Sequence, residues 1–189
     1  MIKLLVGLGN PGNKYSKTRH NAGFLLLDEL AKDEGVAFSK QSRFFGDVAE
    51  VNKGGDKLYL LKPNTFMNRS GQSVSSIMKY YKMRPEEVLV VHDELDFDVG
   101  IMRLKSGGGH GGHNGLRDIA TSICAKDFKR LRVGIGRPVS GKVVADYVLS
   151  DFPKSDLMQV RELFHGFVAC IPLLLAGKFE LAVQELHAH

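Results

Sequence analysis

Two residues of this chain have the types and settings of an acid–base pair. His20 closes the polar loop "GNPGNKYSKTRHN" just ahead of a helical pattern, and Asp93 follows the apolar run "VLVV" at the carboxyl end of a strand. In open α/β sheets that end is where ligand clefts form. An aspartate that accepts from one imidazole nitrogen fixes the tautomer and leaves the other nitrogen basic. Three asparagines, Asn10, Asn68 and Asn114, stand at loop ends ahead of helical patterns. Read locally they are turn or capping residues. Read as a set they are neutral amides, able to hold a carbonyl, a water and a developing oxyanion without adding charge near the base.

No nucleophile accompanies them. A G-x-S-x-G elbow is absent, and Cys124 falls inside a helical pattern beside Ile123. Water activated by histidine is therefore the expected attacker of a hydrolase built on these residues. Metal activation is the rival, because His110-x-x-His113 has ligand-like spacing and His92-Asp93 could add ligands. No H-E-x-x-H pattern or cysteine set supports it, so the histidines are read as structural or substrate-contacting groups.

Two glycine-rich stretches frame these residues. "GLGNPG" (Gly7 to Gly12) has the form of a dinucleotide fingerprint after a strand, but Pro11 stands where a helix should be donating N–H groups, and the next helical pattern starts only near Asn21. It reads as a loop that exposes Asn10. "GGGHGGHNGL" (Gly107 to Leu116) could be a phosphate cradle, a metal site or a mobile wall of a cleft. The bases flank its glycines without interrupting them, which favours the wall: mobile from Gly107 to Gly112 and fixed at Asn114.

The elements that must position these groups follow from periodicity. "IKLLVGL" is a buried strand. Asn21 could cap a helix carrying Phe24, Leu27, Leu30 and Ala31 on one face. "FFGDVAEVN" and "KLYLLKP" flank Gly54-Gly55 as a hairpin, and Ser70 could cap a helix through about Tyr81. "EVLVVHDELD" is a buried strand, with "GIMRLKS" as its antiparallel neighbour. A helix places Leu116, Ile119 and Ile123 on one face, and "KRLRVGIG" is a strand with one buried and one charged face. "SDLMQVRELFHGFVACI" is a long amphipathic helix interrupted by Pro172, and "FELAVQEL" is a last helix. The mixture predicts one α/β domain over residues 1–189: a twisted mixed sheet of parallel and antiparallel strands with helices on both faces.

Composition bounds the partners. The 189 residues are 43% hydrophobic and 25% charged, ordinary for a soluble globular chain, and no apolar run approaches the length of a membrane span. No secretory leader is evident, so a cytoplasmic protein is expected. Cys124 and Cys170 are read as small buried hydrophobes. The net charge of +5 is unevenly spread. The segment from Arg103 to Lys142 holds nine bases and two acids, net +7, whereas the remainder is net −2. A basic face confined to one segment suits a polyanion such as nucleic acid.

In order and spacing, "VGLGNPG", "TRHNAGF", "TFMNRSG", "VVHDELD", "GGGHGGHNGL" and "RLRVGIGRP" resemble the motifs of bacterial-type peptidyl-tRNA hydrolases. The likeness runs from about Ile2 to Leu149, and the C-terminal helices share it only in general pattern. It implies a monomeric enzyme without metal or organic cofactor that cleaves the ester between peptide and tRNA, recycling tRNA after aborted translation. On that resemblance His20 is the base and Asp93 its orienting carboxylate. Asn10, Asn68 and Asn114 place substrate and water, Tyr15 and Met67 line the cleft, and His113 contacts the substrate end. Lys105, Arg132 and Lys142 meet tRNA phosphate. Phosphate contacts position a ligand without reading its sequence, which suits a general tRNA substrate. The competing readings are an RNA-binding protein without hydrolysis, for which His20 and Asp93 would be superfluous, and a dinucleotide-dependent oxidoreductase resting on "GLGNPG" alone.

Overall fold

A computed structural model describes residues 1–188. Seven strands form one sheet in the order β2-β3-β4-β1-β5-β7-β6. They are β1 (Leu4–Gly7), β2 (Ser39–Gln41), β3 (Gly46–Lys53), β4 (Asp56–Pro63), β5 (Val88–Glu94), β6 (Met102–Ser106) and β7 (Lys129–Gly134). The central four, β4, β1, β5 and β7, are parallel; β3 and β2 extend one edge antiparallel, and β6 closes the other. The expected mixed sheet is present. The central strands β1 and β5 are buried on both faces, as helices on both sides require.

One face carries α1 (Ala22–Asp33), α5 (Lys154–Leu175) and α6 (Phe179–His187), the other α2 (Ser70–Tyr80) and α3 (Asn114–Ser122). Alternation divides the strands between two cores. Leu5, Leu89, Val91, Leu131 and Val133 pack with Leu27, Phe164 and Phe167, whereas Leu4, Val6, Val88 and Val90 pack with Ile77, Leu116 and Phe128. The short α4 (Val144–Val148) lies in "KVVADYVLS".

Several local expectations fail for physical reasons. "GIMRLKS" does not pair with β5: β6 pairs with β7, which inserts parallel to β5. The doubly apolar β5 takes a central place, and the charged β6 takes an edge. The side chain of Asn21 caps nothing, and Ser70 is a helical residue whose hydroxyl donates to the Met67 carbonyl at 2.7 Å. Pro172 does not interrupt α5, which runs 22 residues and buries Phe164, Phe167, Ile171 and Leu174 around it. By length and composition α5 could cross a bilayer, longer than the apolar run suggested; here it covers the sheet. Cys170 is buried as expected, but Cys124 is exposed beyond the end of α3, with φ +52°.

Candidate active site

The site opens where β1, β4 and β5 end together. The chain leaves β1 towards β4 on one side and β5 on the other, and such a divergence opens a crevice at the carboxyl ends of the strands. A cleft of about 720 Å³ lies there, lined by Asn10, His20, Met67, Asn68, Asp93, His113 and Asn114 among others.

Close backbone packing brings His20 to Asp93. A Cβ on Gly23 would lie 2.3 Å from the Leu8 nitrogen and 2.5 Å from the Val91 carbonyl oxygen, and one on Gly7 would lie 2.4 Å from the Gly23 oxygen. The start of α1 therefore presses on the ends of β1 and β5. This is the service that "GLGNPG" performs. Its Leu8 N–H is bonded to the Val91 carbonyl and its Asn10 N–H to Asn21 Oδ1, so those donors do not face a pyrophosphate. His20 lies in the 3-10 turn Arg19–Asn21 immediately before α1, and its Nδ1–H donates to both Asp93 oxygens, at 2.9 and 3.0 Å.

His113 reaches the same carboxylate from the opposite face of the sheet. Its Nε2 lies 2.8 Å from Asp93 Oδ1, while its Nδ1 accepts from the N–H groups of Gly115 (3.1 Å) and Leu116 (3.3 Å). It is the N-cap of α3. Two donors on Nδ1 require a lone pair there, so the ring proton is on Nε2 and points at Asp93. Burial alone would raise the Asp93 carboxyl; the hydrogen bonds and positive ends of His113 and His20 outweigh it and hold it below the ordinary carboxylate range.

His20, Asp93 and His113 also have the composition of a metal ligand set. The tautomers oppose that use. A metal on His113 Nε2 would demand a proton on Nδ1, the atom that caps α3.

The buried neighbours complete the frame. Asn10 is only 7% exposed, not displayed by its loop as expected. Its Oδ1 accepts from the Met67 N–H at 2.8 Å, so its Nδ2 is the group left to the cleft. Asn21 holds it there: its Oδ1 accepts from the Asn10 N–H and its Nδ2 donates to the Asn10 carbonyl, each at 2.9 Å. His92 donates from Nδ1 to the Asp93 carbonyl at 2.7 Å, and its Nε2 is buried without a partner. Burial, with His113 beside it, pushes the His92 imidazole down from 6.5 to about 3. The guanidinium of Arg19 lies over the Tyr147 ring and donates to the carbonyls of Ser150 and Asp151, tying the α4 segment to the turn that carries His20.

The sequence and the fold have known counterparts. The Peptidyl-tRNA hydrolase family model matches residues 4–189. A peptidyl-tRNA hydrolase of Methylococcus capsulatus is 49% identical over 99% of this chain and all of its own, and one of Saccharophagus degradans is 50% identical over 99% of this chain and 95% of its own. The crystal structure of peptidyl-tRNA hydrolase from Acinetobacter baumannii superposes with a TM-score of 0.95 at 44% identity, covering all of this chain and 95% of that one. The chain belongs to the peptidyl-tRNA hydrolase family. Its substrate is peptidyl-tRNA, and its reaction is hydrolysis of an ester bond. The family likeness extends through the C-terminal helices, beyond the Leu149 limit that the motifs suggested.

The residues expected of a peptidyl-tRNA hydrolase are not all gathered. His20, Asp93, His113, Asn10, Asn68, Asn114 and Met67 line the cleft, with Asn68 and Asn114 exposed at its rim and Met67 buried beneath. Lys105 and Arg132 line it on the β6–β7 side. Tyr15 and Lys142 are not among its lining residues: Tyr15 lies in a separate 3-10 turn, Asn13–Tyr15, and Lys142 is exposed on the loop before α4. His110 closes the glycine-rich turn, its carbonyl accepting from the His113 N–H (2.9 Å) and its Nδ1 from the Gly112 N–H (3.0 Å). Sequence reasoning gave Asn21 and His92 other roles, a helix cap and a candidate metal ligand, and passed over Arg19. Arg19 bonds residues 131 and 132 positions away and Asn21 one 11 away, and the neutral state of His92 comes from its burial, so no local pattern announces these roles.

Proposed function

We propose that His20 is the general base of peptidyl-tRNA hydrolysis. Its Nε2 takes a proton from water as the water oxygen attacks the ester carbonyl carbon. The tetrahedral intermediate then collapses, the bond to the ribose oxygen breaks, and the same imidazole returns the proton to that oxygen. Asp93 holds the His20 ring by Nδ1 and offsets the positive charge the ring gains. The Asn10 Nδ2 donates to the carbonyl oxygen as negative charge develops, and Asn68 and Asn114 at the rim align water and substrate. Lys105 and Arg132 receive backbone phosphate, with Lys142 an outer contact, and a single copy of the chain suffices.

The observation that carries this reading is that His20 donates through Nδ1 to a buried carboxylate while lining the cleft. The test is turnover of an N-blocked aminoacyl-tRNA by the wild type and by His20→Ala. The variant is expected to lose about 10²–10⁴-fold in kcat with its fold intact. Near-normal turnover would remove His20 from the role.

A further inference from the structure

The +7 segment places four bases on one face of the β6–β7 ladder. Arg130 pairs with Lys105 and Arg132 with Arg103, and cross-strand partners share a face. Charge alone would treat all four as ligands for phosphate. Arg130 differs from its neighbours. It is 2% exposed and lies with its guanidinium over the Phe128 ring, 4.6 Å from the centroid. Its Nη1 donates to the Gly109 carbonyl, and its Nη2 donates to the Gly108 carbonyl at 2.6 Å and to the Lys126 carbonyl at 3.4 Å. The Gly107 N–H is bonded to the Phe128 carbonyl at 3.1 Å, beside it. The glycine-rich stretch, expected to be mobile from Gly107 to Gly112, is thus fastened at its first three residues to β7 and the turn leading into it. At its other end it is fastened at His113, which caps α3 and donates to Asp93. Three residues, 110–112, separate the two anchors, and the His110 turn closes them.

We infer that Arg130 is a positioning residue for the hydrolysis: by holding the Gly108 and Gly109 carbonyls it sets where His113 meets Asp93, and it does not bind tRNA phosphate. A chain with φ +65° at Gly107 and +112° at Gly108 has many other conformations open to it, so its path needs an external clamp. A planar fork that donates to two successive carbonyls supplies one; a lysine ammonium is a point donor and cannot match both directions. Both arginines line the cleft, but Arg132 is only half-buried and its side chain donates to no carbonyl among the described residues, so it is left as the phosphate ligand of the pair.

This inference rests on the reading of Asp93 as the carboxylate that orients His20, and its test is chosen to separate the two. Arg130→Met, Arg130→Lys and Arg132→Met are compared by kcat and KM for N-blocked aminoacyl-tRNA across a salt series. They are also compared by the imidazole ¹⁵N signals of His113, which report the ring tautomer without any turnover. Arg130→Met is expected to lower kcat roughly ten- to hundredfold with the salt slope unchanged, and to disturb the His113 signals. Arg130→Lys should recover only part of both. Arg132→Met should leave the His113 signals in place and reduce the salt slope by about one. A flattened slope with normal kcat in Arg130→Met would make Arg130 a phosphate ligand and overturn the inference. Undisturbed His113 signals in both variants would overturn it as well. If Arg130→Met does not fold, Arg130→Lys carries the kcat and His113 readouts and Arg130→Gln carries the salt slope. Failure of the general-base reading would show separately, as activity retained in His20→Ala.

Discussion

His20 and His113 meet one carboxylate, from opposite layers of the fold, with ring centroids 5.1 Å apart. They differ in what lies on the far side of each ring. His113 Nδ1 is engaged by two backbone N–H groups of α3, and His20 Nε2 has no hydrogen-bond partner among the described residues and faces the cleft. Both imidazoles donate to the same aspartate, so that contact cannot decide which of them is the base. On the proposed mechanism the distal nitrogen separates them. A ring whose second nitrogen caps a helix has no free lone pair to receive a proton from water, and a ring that opens on the cleft does. Sharing also matters for Asp93. With two donors on it, the carboxylate stays charged in a buried place, where either imidazole alone would compensate less of its desolvation.

The contrast can be broken most severely at the rings themselves. His20→Ala should cost about 10²–10⁴-fold in kcat, and His113→Ala roughly tenfold, measured with one blocked aminoacyl-tRNA. Equal losses would mean that the two rings share the proton-transfer role. Asp93→Asn should fall between these, because it disturbs both rings without removing either. The acid limb of its pH–rate profile should move to lower pH, since a cationic imidazole loses its counter-charge; an unmoved limb would detach Asp93 from the proton transfer.

The capping half of the contrast is tested by stability. His113→Ala removes the α3 cap and should cost about 1 kcal/mol in denaturant unfolding, whereas His113→Asn, a good capping residue, should restore most of that but not kcat. Recovery of kcat by asparagine would reduce His113 to a cap. The last test leaves activity aside and involves the third histidine. Folded His92 stays neutral down to about 3, whereas in the unfolded chain it takes up a proton near 6.5. Between those values the unfolded state binds more protons, so stability falls as pH falls, by up to about 1.4 kcal/mol per pH unit for that proton. Asp93 continues the loss in the same direction at lower pH. His92→Gln should flatten the stability curve between pH 6.5 and about 4; an unchanged slope would show that His92 does not titrate in this way.

The sequence made the chemistry easier to read than its supports. Loop ends and strand ends are visible in one dimension, so His20, Asp93 and the three asparagines could be placed at the mouth of a sheet. Periodicity also separates faces, and it put Leu131 and Val133 on one side of β7 and Arg130 and Arg132 on the other. It does not say what covers a face. The "charged" face of β7 is buried at Arg130 because the glycine-rich loop folds back over it, an interaction spanning more than twenty residues. Strand pairing was missed for a similar reason. β6 is adjacent to β5 in the chain, and only the crossover through α3 places β7 between them. Asn21 looked like a cap because capping is what an asparagine before a helix does locally; its amide instead pairs with the Asn10 backbone, which a local rule cannot anticipate.

The place of the site between two cores has a consequence for folding. Its hydrogen bonds join residues 57 positions apart (Asn10 and Met67), 73 apart (His20 and Asp93) and 20 apart (Asp93 and His113). Contacts of such separation need large loops closed, so the constellation cannot form before β1 and β5 are aligned with each other. It also needs the helices of both faces docked at once. Partial opening of either layer would abolish turnover while the other core kept its helical signal, which makes activity a more sensitive gauge of subglobal unfolding than secondary structure.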